Sequence, residues 1–333
     1  MKPTCNVATL IERFFTERLM RQRNVSANTI ASYKDTFRLL FMFAQERLRR
    51  SPSTLTLTDL DATFIGEFLT DLETKRGASA KTRNLRLTAI RSFFRFVSFE
   101  EPAHSSLIQR VLAIPSKRHD KRQVHFLTRP EIEAVLAAPH RTTWLGRRDH
   151  TLLLLAAQTG LRLSELTGLD RDAVHIGSGA HVRCVGKGRK ERTTPLTTLA
   201  RRALQAWLKE PVRKGATALF PNVHGGRLSA DGVQSLLGKH VRVARESCPS
   251  LKTKRVSPHV LRHSAAMELL QAGVDCSLIA LWLGHESVET TQTYLHAHLA
   301  LKEAALAKLT PYERGKPTRF QPNDSLLAFL EAL

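Results

Sequence analysis

The residues of this chain best suited to chemistry are basic, and each sits where the backbone turns or a helix begins. In Ser257-Pro258-His259-Val260-Leu261-Arg262-His263, a serine able to cap a helix precedes a proline suited to its first turn. His259 and Arg262 are three residues apart, so they share a face close to that helix start. Free N–H groups and the helix dipole already draw anions there, and an added guanidinium makes a phosphate pocket. The plainer alternative is two solvated basic side chains.

Arg162 lies in Thr159-Gly160-Leu161-Arg162-Leu163-Ser164-Glu165-Leu166, just past a glycine that would end a helix. A guanidinium among leucines needs an anion, either a carboxylate or a phosphate, and Glu165 is the local candidate. His285 follows Leu283-Gly284 at another helix end, and Tyr294 lies nine residues further on. Taken singly, that tyrosine reads as a core residue and that histidine as a loop residue. Lys187 stands between glycines in Gly186-Lys187-Gly188-Arg189-Lys190, which lacks P-loop spacing and precedes a strand rather than a helix. The sequence contains no G-x-S-x-G, no H-E-x-x-H and no acidic cluster suited to two metal ions.

These residues need elements to hold them. Residues near 5–22 predict a first helix, and the apolar series from Ile30 to Leu48 a second. A third fits Asp61 to Thr74, closed by Gly77, and Ser79 caps a fourth bearing Leu85, Ile90, Phe93, Phe94 and Val97. Its arginines Arg83, Arg86, Arg91 and Arg95 face either phosphate or solvent. Prolines and charges from Glu100 to Arg122 lack periodicity and predict a basic linker. Thr128-Arg129-Pro130-Glu131 is a capping box that opens a second domain. There a helix runs from about Arg148 to Gly160, a hairpin pairs 180–185 with 192–196, and helices follow near 198–208, 229–247, 258–272, 275–283 and 287–307. The expected division is therefore 1–101 helical domain, 102–124 linker, 125–314 catalytic domain and 315–333 tail.

Charge narrows the partner. Fifty-one Lys and Arg against thirty Asp and Glu give +21, with a pI of about 10.6, and both halves share the excess. A merely soluble basic protein is possible, but such an excess more often marks a polyanion-binding chain whose affinity falls steeply with salt. Cys5, Cys184, Cys248 and Cys276 are widely spaced and offer neither a zinc site nor a disulfide framework. The N-terminus has no apolar stretch of signal-peptide length, and the run Leu152–Ala157 is too short to span a bilayer. A reducing, cytoplasmic compartment is expected.

In order and together, Arg162, Lys187, His259-x-x-Arg262, His285 and Tyr294 resemble the tyrosine recombinase (phage integrase) family, especially its Xer-like members. The stretches TGLRLSEL, VGKGRKERTTPL, SPHVLRHSAA and LWLGHESVETTQTYLH carry the likeness, and residues 125–310 fit throughout. The resemblance implies a mainly α fold with a small β-sheet (α+β). A SAM-like core-binding domain and a mixed catalytic domain would form a clamp around double-stranded DNA. It further implies site-specific recombination or integration, with Tyr294 attacking in line to leave a 3′-phosphotyrosyl bond and a 5′-hydroxyl. Arg162 and Arg262 would hold the non-bridging oxygens, since guanidiniums meet phosphate in a bidentate manner. His259 would assist proton transfer, Lys187 would protonate the leaving oxygen, and His285 would hydrogen-bond the phosphate. Glu165 would orient its neighbours. No metal, ATP or other cofactor is expected, because the covalent intermediate conserves the bond energy. The implied working form is a homotetramer assembled on DNA, alone or with related recombinases. The apolar Leu326–Leu330 would dock on a neighbouring protomer, or in cis. Two rivals are a type IB topoisomerase-like nicking and resealing enzyme and a non-catalytic DNA-binding accessory protein. The helical N-terminal region with its basic linker favours the recombinase over the first, and the intact set of six residues argues against the second.

Overall fold

The computed structural model describes residues 6–119, 124–186, 190–211 and 215–285, together with Ser287, Thr291 and Tyr294. The chain divides into two compact units, one up to Arg122 and the other from Gln123 onward.

The first unit is helical. α1 (Val7–Arg13) continues helically to Gln22, followed by α2 (Ala27–Leu48), α3 (Ala62–Thr74), α4 (Ala80–Glu100) and α5 (Ser105–Ala113). Side-chain caps set four of the starts: Asn6 accepts from the Ala8 N–H, Ser26 from Thr29, Asp61 from Phe64 and Ser79 from Thr82. Fully buried Phe14, Phe93 and Phe94 join Phe37 in edge-to-face contacts at the centre.

Two expectations change here. The stretch expected to be linker contains α5, whose Ile108 and Val111 are fully buried in this core. Its helical spacing is hidden because the helix between the prolines at 102 and 115 has only nine residues. The second concerns the α4 arginines, three of which bond other segments of this unit. Arg86 bonds Asp35, the Thr36 hydroxyl and the Ser32 carbonyl on α2. Arg83 reaches the Pro115 carbonyl and Arg91 the Ile114 carbonyl, so both pin the chain that follows α5. Arg95 alone of the four is exposed.

The second unit is mixed. It contains α6 (Arg129–Ala137), α7 (Trp144–Thr159), α8 (Leu163–Gly168), β1 (Val174–His175), β2 (His181–Val185) and β3 (Glu191–Pro195). Then come α9 (Thr198–Leu208), α10 (Ala230–Ser247), α11 (Pro258–Gln271) and α12 (Cys276–Leu283). The three strands form an antiparallel sheet in the order β1-β2-β3, with Val185 opposite Glu191 at the hairpin end. The sequence did not predict α8 or β1, since each is too short to show a period. The capping box opens α6 as expected: the Thr128 N–H donates to Glu131 at 2.8 Å. α7 is buried on every side from Thr151 to Ala157 and is the central strut of this unit. Among the described residues no helix is long and apolar enough to cross a membrane. The hairpin turn with Lys187, most of the 287–307 segment and the 315–333 tail lie outside the described residues.

Candidate active site

The site grows from two helix ends. α7 stops at Gly160, whose φ of +62° suits glycine, and a Cβ there would lie 2.6 Å from Leu283 Cδ2. The reversal delivers Arg162 to the start of α8, where its backbone N–H donates to Glu165 Oε2 at 2.7 Å. α12 stops at Gly284, also left-handed (φ +65°). The carbonyls at these two C-termini have no partner within their helices and carry the negative end of each dipole.

The arginines supply those partners. Arg262, one turn into α11 and 5% exposed, donates to the Gly160 carbonyl at 2.6 Å and the Leu283 carbonyl at 2.8 Å. Arg162 donates to the Gly284 carbonyl at 2.6 Å and to Glu165 Oε1 at 2.9 Å. Arg192 on β3 grips both Glu165 oxygens, at 2.7 and 2.9 Å. Two guanidiniums thus share one carboxylate. Burial alone would raise the Glu165 carboxyl, but bonds from Arg192 and the Arg162 backbone overcome it and hold the group below its usual range. Burial, reinforced by Arg162, lowers the Arg262 guanidinium to about 10, so it stays charged at neutral pH. Gly186, at the base of the β2–β3 hairpin, borders the same group, since a Cβ there would lie 3.1 Å from Glu165 Oε1.

Tyr294 closes the cluster. It is 3% exposed, its hydroxyl lies 2.9 Å from His263 Nδ1, and its ring stacks on His285 at 6.4 Å between centroids. Burial raises the phenol, and the charges of Arg262 and Arg162 oppose that rise. His285 Nδ1 meets the Thr291 hydroxyl at 2.7 Å. Burial, then nearby positive charge, brings His263 and His285 each down to about 4. Both imidazoles are therefore neutral at pH 7, and with its proton on Nε2 His263 accepts a hydrogen bond from the Tyr294 hydroxyl at Nδ1.

The structure thus brings Arg162, Arg262, His285 and Tyr294 together, with His259 exposed on the first turn of α11. Lys187 lies outside the described residues. Sequence reasoning missed Arg192 and His263. His263 could have been found from its place beside Arg262 in the same motif. Arg192 had no such signal, because strand pairing alone turns it inward.

Lowering the pH from about 6.5 towards 4 is expected to weaken the fold. The folded-state values of His263 and His285 lie below the unfolded value of about 6.5. The unfolded chain therefore binds more protons in that window, so stability rises with pH through it and levels off above. Melting temperatures across pH 5–7.5 measure the slope, and His263→Asn should flatten it. A melting temperature that does not change over this range would contradict the assignment.

A profile of the phage integrase family matches residues 125–300, and one of the phage integrase N-terminal SAM-like domain matches 11–101. The Sinorhizobium fredii protein y4rC, named a candidate integrase/recombinase, is 59% identical over 333 residues, 100% of each chain. Tyrosine recombinase XerC of Pelotomaculum thermopropionicum is 36% identical over 305 residues, 88% of this chain and 95% of its own. The crystal structure of XerH site-specific recombinase, bound to a palindromic difH substrate, covers 91% of this chain and 85% of its own. Its TM-score is 0.68 at 22% identity. A helical unit followed by a mixed one is thus the fold of a site-specific recombinase. The chain belongs to the phage integrase family of tyrosine-type site-specific DNA recombinases.

Proposed function

We propose that this chain cuts double-stranded DNA with Tyr294, holds the broken end as a 3′-phosphotyrosyl ester, and passes it to a second duplex. One observation carries the reading: a buried phenol, hydrogen-bonded to a neutral imidazole, lies close enough to Arg162 and Arg262 for their charges to act on it. Those arginines stabilise the charge that develops on the non-bridging oxygens during in-line attack. The phenolic proton leaves through histidine, with His263 joining His259 as an acceptor, and Lys187 protonates the departing 5′ oxygen. His285 hydrogen-bonds the phosphate. Attack replaces one phosphodiester by another, so the next 5′-hydroxyl reverses it without an added energy source.

The chain acts in the cytoplasm, at the nucleoid. Its working form is a homotetramer on two duplexes, with the 315–333 tail docking on a neighbour. The test uses duplexes tiling the DNA that flanks the chain's own gene, labelled on either side of the break. Denaturing gels should show label joined to protein through the 3′ side and a free 5′-hydroxyl on the other fragment. Absence of any adduct across the tiled set overturns the reading. Deleting residues 316–333 should spare adduct formation while reducing four-protomer complexes on the attached duplex. Unchanged assembly would remove the tail from the proposal.

A further inference from the structure

Arg192 has no place among the six residues that carry the family resemblance, yet it is bound into their site. β3 sets it between exposed Glu191 and Thr193, and its own side chain is only 12% exposed. It meets both oxygens of Glu165, whose side chain is 1% exposed. Arg162 makes a single side-chain bond to that carboxylate, at 2.9 Å. Gly284 accommodates both: its carbonyl receives Arg162, and a Cβ on it would lie 2.6 Å from Arg192 Nη1.

We propose that Arg192 is a positioning residue for strand cleavage, acting through Glu165 to keep the Arg162 guanidinium available to phosphate. The proposal rests on the reading of Arg162 as a phosphate ligand. A bidentate pair is the strongest geometry open to an arginine and a carboxylate, and Arg192 already occupies it. Glu165 can then orient Arg162 by one bond without neutralising it. With Arg192 removed, the buried carboxylate takes Arg162 as its bidentate partner and draws those N–H groups off the phosphate. A lysine at 192 restores the charge but cannot cover both oxygens.

The test measures the initial rate of Tyr294 adduct formation on the most reactive tiled duplex, with affinity read by mobility shift. Arg192→Met is expected to slow attachment about 10²-fold, comparable to losing one oxyanion donor, while affinity changes little. Adding Glu165→Gln to Arg192→Met should recover about tenfold of that loss, because the neutral amide no longer competes for Arg162 yet still accepts its backbone N–H. A merely structural arginine, or one bound directly to phosphate, would show no such recovery. An Arg192→Met rate equal to that of the unsubstituted chain, or a double variant no faster than the single one, overturns the proposal. If Arg192→Met does not fold, judged by its melting transition, the same pair of measurements on Arg192→Lys decides. No adduct from the unsubstituted chain defeats the reading of the site itself, whereas an adduct indifferent to Arg192 defeats this proposal alone.

Discussion

Tyr294→Phe is expected to abolish covalent attachment to DNA and to leave DNA binding essentially unchanged. The substitution removes one oxygen and keeps the ring, which is 3% exposed and stacks on His285. Only the hydrogen bond to His263 is lost, worth about 1 kcal/mol of stability. The oxygen proposed as the nucleophile is lost outright. For a chain of charge +21, binding is expected to rest mainly on phosphate contacts by Lys and Arg, and a neutral hydroxyl adds little to that sum. Denaturing gels read the adduct, and mobility shifts at two salt concentrations read the binding. An adduct persisting in Tyr294→Phe would assign the nucleophile elsewhere.

Arg262→Lys should slow adduct formation by about 10²–10³-fold, or about 2.7–4 kcal/mol of transition-state stabilisation, with affinity nearly intact. Arg262 uses two N–H groups to tie the C-termini of α7 and α12, which leaves a planar, charged edge fixed in place. An ammonium keeps the charge but is a single point, so it must choose between those carbonyls and a phosphate oxygen. Lysine is the informative replacement because alanine would also orphan two buried carbonyls and confuse chemistry with folding. Single-turnover rates against mobility-shift affinities separate the two. A loss below about tenfold would make Arg262 a strut between helices rather than a phosphate ligand.

Much of this molecule can be read along the chain where the signal is local. Asp61, Ser79 and Ser257 each mark a helix start through a side chain three residues from the N–H it accepts. Gly160 and Gly284 mark helix ends because left-handed backbone favours glycine. Signals that depend on distant partners could not be read this way. α5 shows too few turns between its prolines to reveal that Ile108 and Val111 are buried. The α4 arginines look alike in sequence, and only packing against α2 and the 114–117 segment separates Arg83, Arg86 and Arg91 from exposed Arg95.

The same division runs through the site. The sequence by itself determined which residue types were available and in what order, because arginine, histidine and tyrosine beside helix starts and glycine turns leave local marks. The tertiary structure alone decided how their charges are shared. It brings Arg192 from β3 onto the buried carboxylate that lies within local reach of Arg162, and it turns two helix C-termini towards Arg162 and Arg262. It also sets His263, rather than His259, against the Tyr294 hydroxyl. Hydrogen-bond reach is about 3 Å, while those partners are separated by 21 to 122 positions in the chain, so no local pattern could have paired them.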